Sequence, residues 1–359
     1  MLKAFFLHTQ NSGVSYIRML QYAKYMRRLP NTEVAYSKWT KGRQTMAKWM
    51  WEVRSNKRVI QDFKMLFENA DITVAQLVTT GEAVALLGAA REKYQKPILM
   101  ESDDFVFNSP SYHPVSKAYK ANPDFHRWAL SQIGLSDAMI VSTPWLKKRY
   151  SEIFPRPIYV IRNGIDFELW NNLKEPKAHK GIIIGWCGGG SHDGDLLMIE
   201  SVIHRILEKY SNVRFVITGG GIPRMKKHKR LKAYYSWTDV LKYPQHLKNF
   251  GFDIGIAPLV DNEFNYAKSN LRWLEYSALR IPTVASRVEH FRKTIRSNHT
   301  GFLAHGEDEW VERLSELIEN DQMRWQMGRD AYDEIKSNFN IEKIAKEYLF
   351  ILEDICGHS

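Results

Sequence analysis

The sequence predicts an α/β chain made of two Rossmann-like, doubly wound domains. Three observations predict it. Apolar runs of strand length alternate with amphipathic stretches of helical length along nearly the whole chain, the pattern of parallel strands joined by crossover helices. A strand–glycine–helix opening occurs twice, as KAFFLHTQNSGVSYIRM from Lys3 and as GIIIGWCGGGSHDGDLLM from Gly181. The 359 residues are more than one ordinary core organises, and a polar stretch containing Pro176, ELWNNLKEPKAHKG, separates the two sets of strands. The expected division is a first domain over 1–166, a linker over 167–180, a second domain over 181–336 and a closing helical segment over 337–359.

In the first domain, KAFFLHT reads as a strand and QNSGVSYIRMLQYAKYMRRL as a glycine-containing turn leading into a helix. Ligands of doubly wound sheets bind at the carboxyl ends of strands. Ser12 and Gly13 are therefore candidates to approach a phosphate or sugar, with Ser15 and Tyr16 adding hydroxyls. EVAYS is a short strand and DITVAQLV a buried one, followed by the helix GEAVALLGAAREKYQ. In KPILMESDDFVF, Pro97 opens a strand, and Glu101, Asp103 and Asp104 gather at its end. Such acids can bind a metal, cap the next loop, or face a ligand. NPDFHRWALSQIGLSD is a helix, AMIVSTPWLKKRY a strand, turn and helix, and PIYVIRNGID a last strand with a sharp Asn163-Gly164 turn.

The second domain begins with a buried strand, a glycine-rich loop and an amphipathic helix starting near Asp195. Gly188, Gly189 and Gly190 allow backbone N–H groups to crowd into an anion-binding concavity, with His192 aimed at the same place. VRFVITGGGIPR repeats the strand and glycine turn. FDIGIAPLV is a strand buried on both faces and ended by Pro258. The stretch Asn262 to Arg287, NEFNYAKSNLRWLEYSALRIPTVASR, carries the strongest functional signal: a ligand-facing loop, a helix beginning near Ala267 and a buried strand. Leu271, Leu274, Tyr276 and Ala278 are spaced to bury one side of that helix. Lys268 and Ser269 fall in its first turn, where free N–H groups and the helix dipole favour an anion. Glu275 lies two turns on, close to the same face, so a phosphate and a hydroxyl-bearing ring can be held together. Those are the parts of a nucleotide sugar. The helices SELIENDQMRWQMGRDAYDEIK and IEKIAKEYLFILEDI close the chain.

The net charge of +11 is concentrated. Tyr36 to Lys64 holds eight cations (Lys38, Lys41, Arg43, Lys48, Arg54, Lys57, Arg58, Lys64) against Glu52 and Asp62, with Trp39, Trp49 and Trp51 interleaved. Arg224 to Lys232 holds six (Arg224, Lys226, Lys227, Lys229, Arg230, Lys232) and no acid. The remainder is near neutral, so these segments point to a polyanionic partner, either nucleic acid or an anionic membrane surface. Two cysteines, Cys187 and Cys356, form no disulfide framework and fit a reducing compartment. The N-terminus has an apolar run of only four residues and no small-residue cleavage site, and no segment approaches the length of a membrane span. A cytoplasmic protein is expected, peripheral to a membrane or acting in an infected host cell.

AKSNLRWLEYSALRIPTVAS, preceded by DIGIAPL, resembles the donor-binding segment of GT-B glycosyltransferases of the large retaining family 4, group 1, in a branch that reads KS…K..EY.AL..P.VAS. SGVSYIR is similar to the first loop of that branch, which includes phage-type enzymes. The resemblance implies the GT-B fold, two Rossmann-like domains facing across a cleft with the last helix packing back on the first. It implies Glu275 on the ribose hydroxyls, Lys268 and Ser269 near the diphosphate, and Asp103 or Asp104 close to the transferred sugar and acceptor. The implied reaction retains anomeric configuration, using the donor's own phosphate oxygen to help deprotonate the acceptor, with Lys268 stabilising the leaving group. The donor, a UDP-hexose, is a co-substrate, and neither a metal nor another cofactor is expected to be required. Two departures stand out: Ala267 replaces a Glu that many members place eight residues before the ribose Glu, and the Gly188 to Gly190 loop lacks their Arg and Lys. The basic segments place the acceptor at Lys38, Lys41, Arg43, Trp49, Arg224, Lys226 and Lys227, and suggest hydroxymethylated-base DNA whose target is flipped out of the duplex. The alternatives are a membrane-associated enzyme acting on a lipid-linked glycan or polysaccharide, and a non-catalytic binding protein on a degenerate scaffold.

Overall fold

The computed structural model describes residues 1–8, 13–37, 65–77, 80–107, 124–190, 192–220, 224–236 and 238–357. The first basic segment, with Lys38, Lys41, Arg43 and Trp49, lies outside the described residues, as does Ser12. The chain divides into two compact units, meeting along the chain at Gly164–Ile165 and at Asn340–Ile341. Each is built on a six-stranded sheet in which every strand pair is parallel.

In the first unit the strands β1 (Leu2–Leu7), β2 (Thr32–Tyr36), β3 (Ile72–Gln76), β4 (Ile98–Ser102), β5 (Ala138–Val141) and β6 (Ile158–Val160) lie in the order β2-β1-β3-β4-β5-β6. β3, β4 and β5 are buried at every position, as strands covered on both faces must be. The final helix, Ile341–Ile355, belongs to this unit. Its Ile341, Ile344, Ala345, Tyr348, Leu349 and Leu352 join the core of Leu2, Phe6, Met19 and Tyr22.

In the second unit β7 (Ile182–Gly188), β8 (Val213–Gly219), β9 (Leu231–Tyr235), β10 (Ile254–Ala257), β11 (Thr283–Ser286) and β12 (Phe302–Ala304) lie in the order β12-β11-β10-β7-β8-β9. Counting β7 as the first strand, this is the 3-2-1-4-5-6 order of dinucleotide-binding domains, with its switch point between β7 and β10. Alternate residues of β7 feed two cores, Ile183 and Cys187 on one face and Ile182, Ile184 and Trp186 on the other. In β10, a Cβ at Gly255 would stand 2.4 Å from Cδ2 of Tyr276, so the strand needs glycine for that ring to cross it. The polar stretch 167–180 lies within this unit: Trp170 is buried, and Lys174 N–H donates to Gln245 Oε1 at 2.7 Å.

Three local expectations are corrected. The helix expected from Ala267 begins at Leu271; a separate turn of helix, Glu263–Tyr266, precedes it, and Lys268 and Ser269 lie in the link between them. That later helix is not one-sided, since Trp273 through Ala278 are all buried and Leu271 only partly. SELIENDQMRWQMGRDAYDEIK is two helices, Gly306–Glu319 and Asp321–Asn338, divided at Asn320, whose side chain accepts from Met323 N–H and caps the second. β9 and β12 carry no strand pattern strong enough to be read beforehand: one lies in a basic run and the other has three residues.

The first unit buries an ion pair. Arg18 sits in a π-helical turn, Tyr16–Leu20, and its Nε donates to Glu101 Oε1 at 2.6 Å, with both side chains at 0 % exposure. Arg18 Nη1 also donates to Ile161 O at 2.8 Å and Asn163 Oδ1 at 2.7 Å. Burial pushes the Glu101 carboxyl up to about 7 against the pull of Arg18. Removing one partner of such a pair strands the other charge in the core. The variant Arg18→Met should therefore lose about 3–5 kcal/mol of stability in chemical unfolding, whereas Arg18→Met with Glu101→Leu should recover most of it; equal losses would show that the pair contributes through shape alone.

Candidate functional site

At the carboxyl edge of the second sheet, the switch point brings the loop after β7 beside the loop after β10. Asp195, in the helix Asp193–Met198, joins them. Its Oδ1 accepts from Val260 N–H at 2.8 Å and from Asn265 Nδ2 at 2.7 Å, and its Oδ2 meets His192 Nδ1 at 2.7 Å. Asn265 is itself fixed, donating also to Val260 O and having its N–H held by Asn262 Oδ1. His192 lies edge-on to the Trp186 ring, with centroids 5.7 Å apart. Burial lowers the His192 pKa; Asp195 works against this, and Lys268 and Arg272 add to the lowering, which places both cations in its field.

A second knot stands beside the first. Glu275 is 5 % exposed, and its Oε2 accepts from Arg272 Nη1 at 2.7 Å and from the Tyr243 hydroxyl at 3.1 Å. Arg272 Nη1 also reaches the Tyr243 oxygen at 3.1 Å, and its guanidinium lies 5.6 Å from the Trp186 ring centroid. Burial raises the Glu275 pKa against the opposing pull of Arg272 and Tyr243. Tyr276 O–H lies 3.2 Å from Cys187 N and 3.4 Å from Gly185 O, fixing the end of β7. Glu275 Oε1 takes no hydrogen bond among the described residues.

The glycine loop has a second use. Gly188 is the last residue of β7, and a Cβ there would lie 2.4 Å from Trp186 Cζ2 and 2.7 Å from Arg272 Nη2. Its bareness makes room for that stack. Gly189 is exposed, and a Cβ on it would meet nothing within 4 Å. Lys268, partly buried, sets its Nζ 4.4 Å from the Phe264 ring centroid. Ser269 leads to Asn270, which gives no side-chain cap, so the first-turn N–H groups of the helix Leu271–Ala278 are left to other acceptors. Ala267 is fully buried.

Other predicted residues fall elsewhere. Gly13 starts the short helix Gly13–Ser15, and a Cβ there would meet nothing within 4 Å, so no close approach in this structure requires glycine. The acid cluster at β4 is split: Glu101 turns into the core toward Arg18, while Asp103 and Asp104 are half-buried on the following turn. That turn is held by Asp104 O, which accepts from Ser102 Oγ at 2.9 Å and Tyr150 Oη at 2.8 Å. Among the described residues no group of three or more His, Cys, Asp and Glu side chains is arranged to hold a metal ion. The second basic segment does not stay at the carboxyl edge. β9 pairs parallel to β8, so the connection runs back beside the helix Glu200–Lys209: Lys226 N–H meets Glu200, His228 meets His204, and Arg230 donates to Val213 O at 2.8 Å near the amino end of β8. Arg224, Lys226 and Lys227 are exposed along this path.

Sequence reading missed Asp195, Arg272, Tyr243 and Asn265. Two carried a local signal, His192 with Asp195 and Arg272 with Glu275, each three residues apart. Tyr243 meets Glu275 across 32 residues and had none.

The architecture is that of GT-B proteins. A glycosyltransferase from Rickettsia africae ESF-5 aligns over 100% of this chain and 99% of its own, with a TM-score of 0.64 at 14% identity. The Anabaena protein Alr3699/HepE, solved in complex with UDP and glucose, aligns over 99% of this chain and 100% of its own, with a TM-score of 0.65 at 14% identity. Sucrose-phosphate synthase from Thermosynechococcus elongatus aligns over 100% of both chains, with a TM-score of 0.64 at 10% identity. Within this fold, residues 181–320, which carry both knots of the site, match the family model described as "Glycosyl transferases group 1". No curated protein matches the chain by sequence.

The Gly188→Ala variant tests the stack. It should lower stability by about 1–3 kcal/mol through overpacking against Trp186 and Arg272, whereas Gly189→Ala should leave the unfolding temperature unchanged. Equal melting of both variants would mean the stack yields freely.

Proposed function

We propose that the chain is a retaining hexosyltransferase that moves a sugar from a nucleotide donor, a UDP-hexose, to a hydroxyl acceptor. The observation that carries this is the convergence, at the switch point of a group 1 domain, of Lys268, Arg272, His192 and the Gly188 to Gly190 loop beside the buried Glu275. Cations, a glycine loop and an uncapped helix start suit a diphosphate that gains charge as it departs. A carboxylate with one oxygen tied and the other without a bond suits a ribose hydroxyl. Retention follows from the family resemblance, with a donor phosphate oxygen assisting acceptor deprotonation and Asp103 or Asp104 positioned toward sugar and acceptor. The donor site is assigned to Gly188, Gly189, Gly190, His192, Lys268, Ser269 and Glu275, with no resident metal or cofactor.

The acceptor is proposed to be polyanionic, with hydroxymethylated-base DNA as the reading most in keeping with charge held in two segments. Support from the second segment comes from its exposed Arg224, Lys226, Lys227, Lys229 and Lys232, since Arg230 is committed to the sheet. Among the described residues no helix is long and apolar enough to cross a membrane.

The test is nucleoside diphosphate release from UDP-, GDP- and ADP-sugars with hydroxymethylated duplex, unmodified duplex or anionic liposomes carrying a lipid acceptor. Turnover is expected with the modified duplex; turnover with liposomes alone would transfer the acceptor reading to the membrane, and donor binding without turnover anywhere would favour a degenerate scaffold. Lys268→Ala should lower kcat/KM by about 10²–10³-fold if it faces the leaving diphosphate. Asp103→Asn or Asp104→Asn should depress kcat with donor affinity retained; parallel loss of both quantities would remove these residues from the acceptor side.

A further inference from the structure

The bond between His192 and Asp195 determines more than the position of a ring. Asp195 Oδ1 is already occupied by two donors, Val260 N–H and Asn265 Nδ2, and its Oδ2 faces His192 Nδ1 at 2.7 Å. An ionised carboxylate can only accept, so the proton of the neutral imidazole resides on Nδ1 and Nε2 carries a bare lone pair. Nε2 takes no hydrogen bond among the described residues, and the side chain is 20 % exposed. A neutral His192 in this tautomer meets a phosphate oxygen lone pair to lone pair. In that tautomer Nε2 cannot donate to an anion until it gains a proton.

Resting on the nucleotide-sugar reading above, we propose that Asp195 is a positioning residue that makes donor binding proton-coupled: His192 takes one proton from solvent onto Nε2 as the diphosphate enters, and donates that N–H to a phosphate oxygen. The balance is simple. One N–H bond forms, the proton comes from the buffer, and the site gains one positive charge against the added negative charge.

Burial is the main reason the ring resists a proton beforehand, and the groups facing it add to this. Trp186 of β7 offers an uncharged ring, Lys268 from the link and Arg272 from the helix Leu271–Ala278 oppose a third cation, and Asp195 alone favours it. A diphosphate adds negative charge beside the ring, Lys268 and the Arg272–Glu275 pair, and tips that balance. The arrangement replaces a fixed loop cation with one that is present only when the anion is, so the free site carries less uncompensated charge.

Calorimetric titration of the full chain with UDP at pH 8, in buffers of different ionisation enthalpy, measures the proton directly. The terminal phosphate, with an ionisation near 6, is already fully charged there and contributes no uptake of its own. The expected result is uptake approaching about one proton per UDP bound. In Asp195→Asn the amide donates to Nδ1, reverses the tautomer and places a hydrogen on Nε2 without uptake, so UDP should still bind while the proton count falls toward zero. His192→Gln, which keeps a neutral donor, should likewise bind without uptake. Wild-type binding with no buffer dependence, or uptake that survives in His192→Gln, overturns the proposal and leaves the transferase reading standing. Failure of the wild type to bind UDP, GDP or ADP overturns the transferase reading and this inference with it.

Discussion

The Asp195 carboxylate is buried to 1 % exposure at the switch point of the second sheet, where an ionised group costs several kcal/mol unless its lone pairs are used. Here they are used by three different segments: the loop after β7 through His192, the end of the β10 loop through Val260, and the short helix Glu263–Tyr266 through Asn265. The loops that frame the site are thereby held to one another before any ligand arrives. A site built this way need not reorganise as charge develops, which is the main source of electrostatic catalysis. Glu275 repeats the pattern one strand over, its desolvation offset by Arg272 and Tyr243.

The first unit solves a similar problem differently. Its buried carboxylate, Glu101, pairs with Arg18, and Arg18 is presented by a π-helical turn, a wide turn that recurs at functional sites. Neighbouring donors extend the hold: Tyr22 Oη donates to Arg162 O at 2.5 Å, and Gln21 Nε2 to Gly164 O at 3.3 Å. The turn after β1 thus binds the end of β4 and the last residues before the chain leaves the unit. Asp103 and Asp104 follow Glu101 after Ser102, so the Arg18–Glu101 pair anchors the strand end from which they extend.

The fold was legible because burial on both faces of parallel strands leaves continuous apolar runs, as in IIIGWCG and TVAS, and because glycine turns punctuate them. The boundaries that went astray are those where a local signal is ambiguous. Ala267 to Asn270 fits a helical period, yet the chain breaks there and sends Lys268 and Ser269 ahead of the helix. Trp273 to Ala278 are buried on all sides, which no one-sided period reports. Of the candidate donor residues, His192 was read from its glycine loop and Lys268 and Glu275 from their spacing along a helix, and the structure brings the three into one neighbourhood. Their partners were less legible: a buried Asp inside a helix looks like a cap residue, and Tyr243 arrives from a helix far away in sequence.

The course of the second basic segment bears on how charge can act. Net charge along a sequence says how strongly a surface attracts an anion, and position says where the anion is brought. With β9 parallel to β8, the segment must travel from one edge of the sheet to the other, and Arg230 is spent on carbonyls at the far edge. On the way, Lys226 and His228 pass beside Glu200 and His204 of the helix Glu200–Lys209, and the segment's cations other than Arg230 are exposed. A long polyanion can follow such a path, whereas a small anion gains little from it beyond steering, which salt screens at separations beyond a Debye length of about 8 Å. On the acceptor reading proposed above, charge laid along a path away from the switch point suits an extended anion more than a small one.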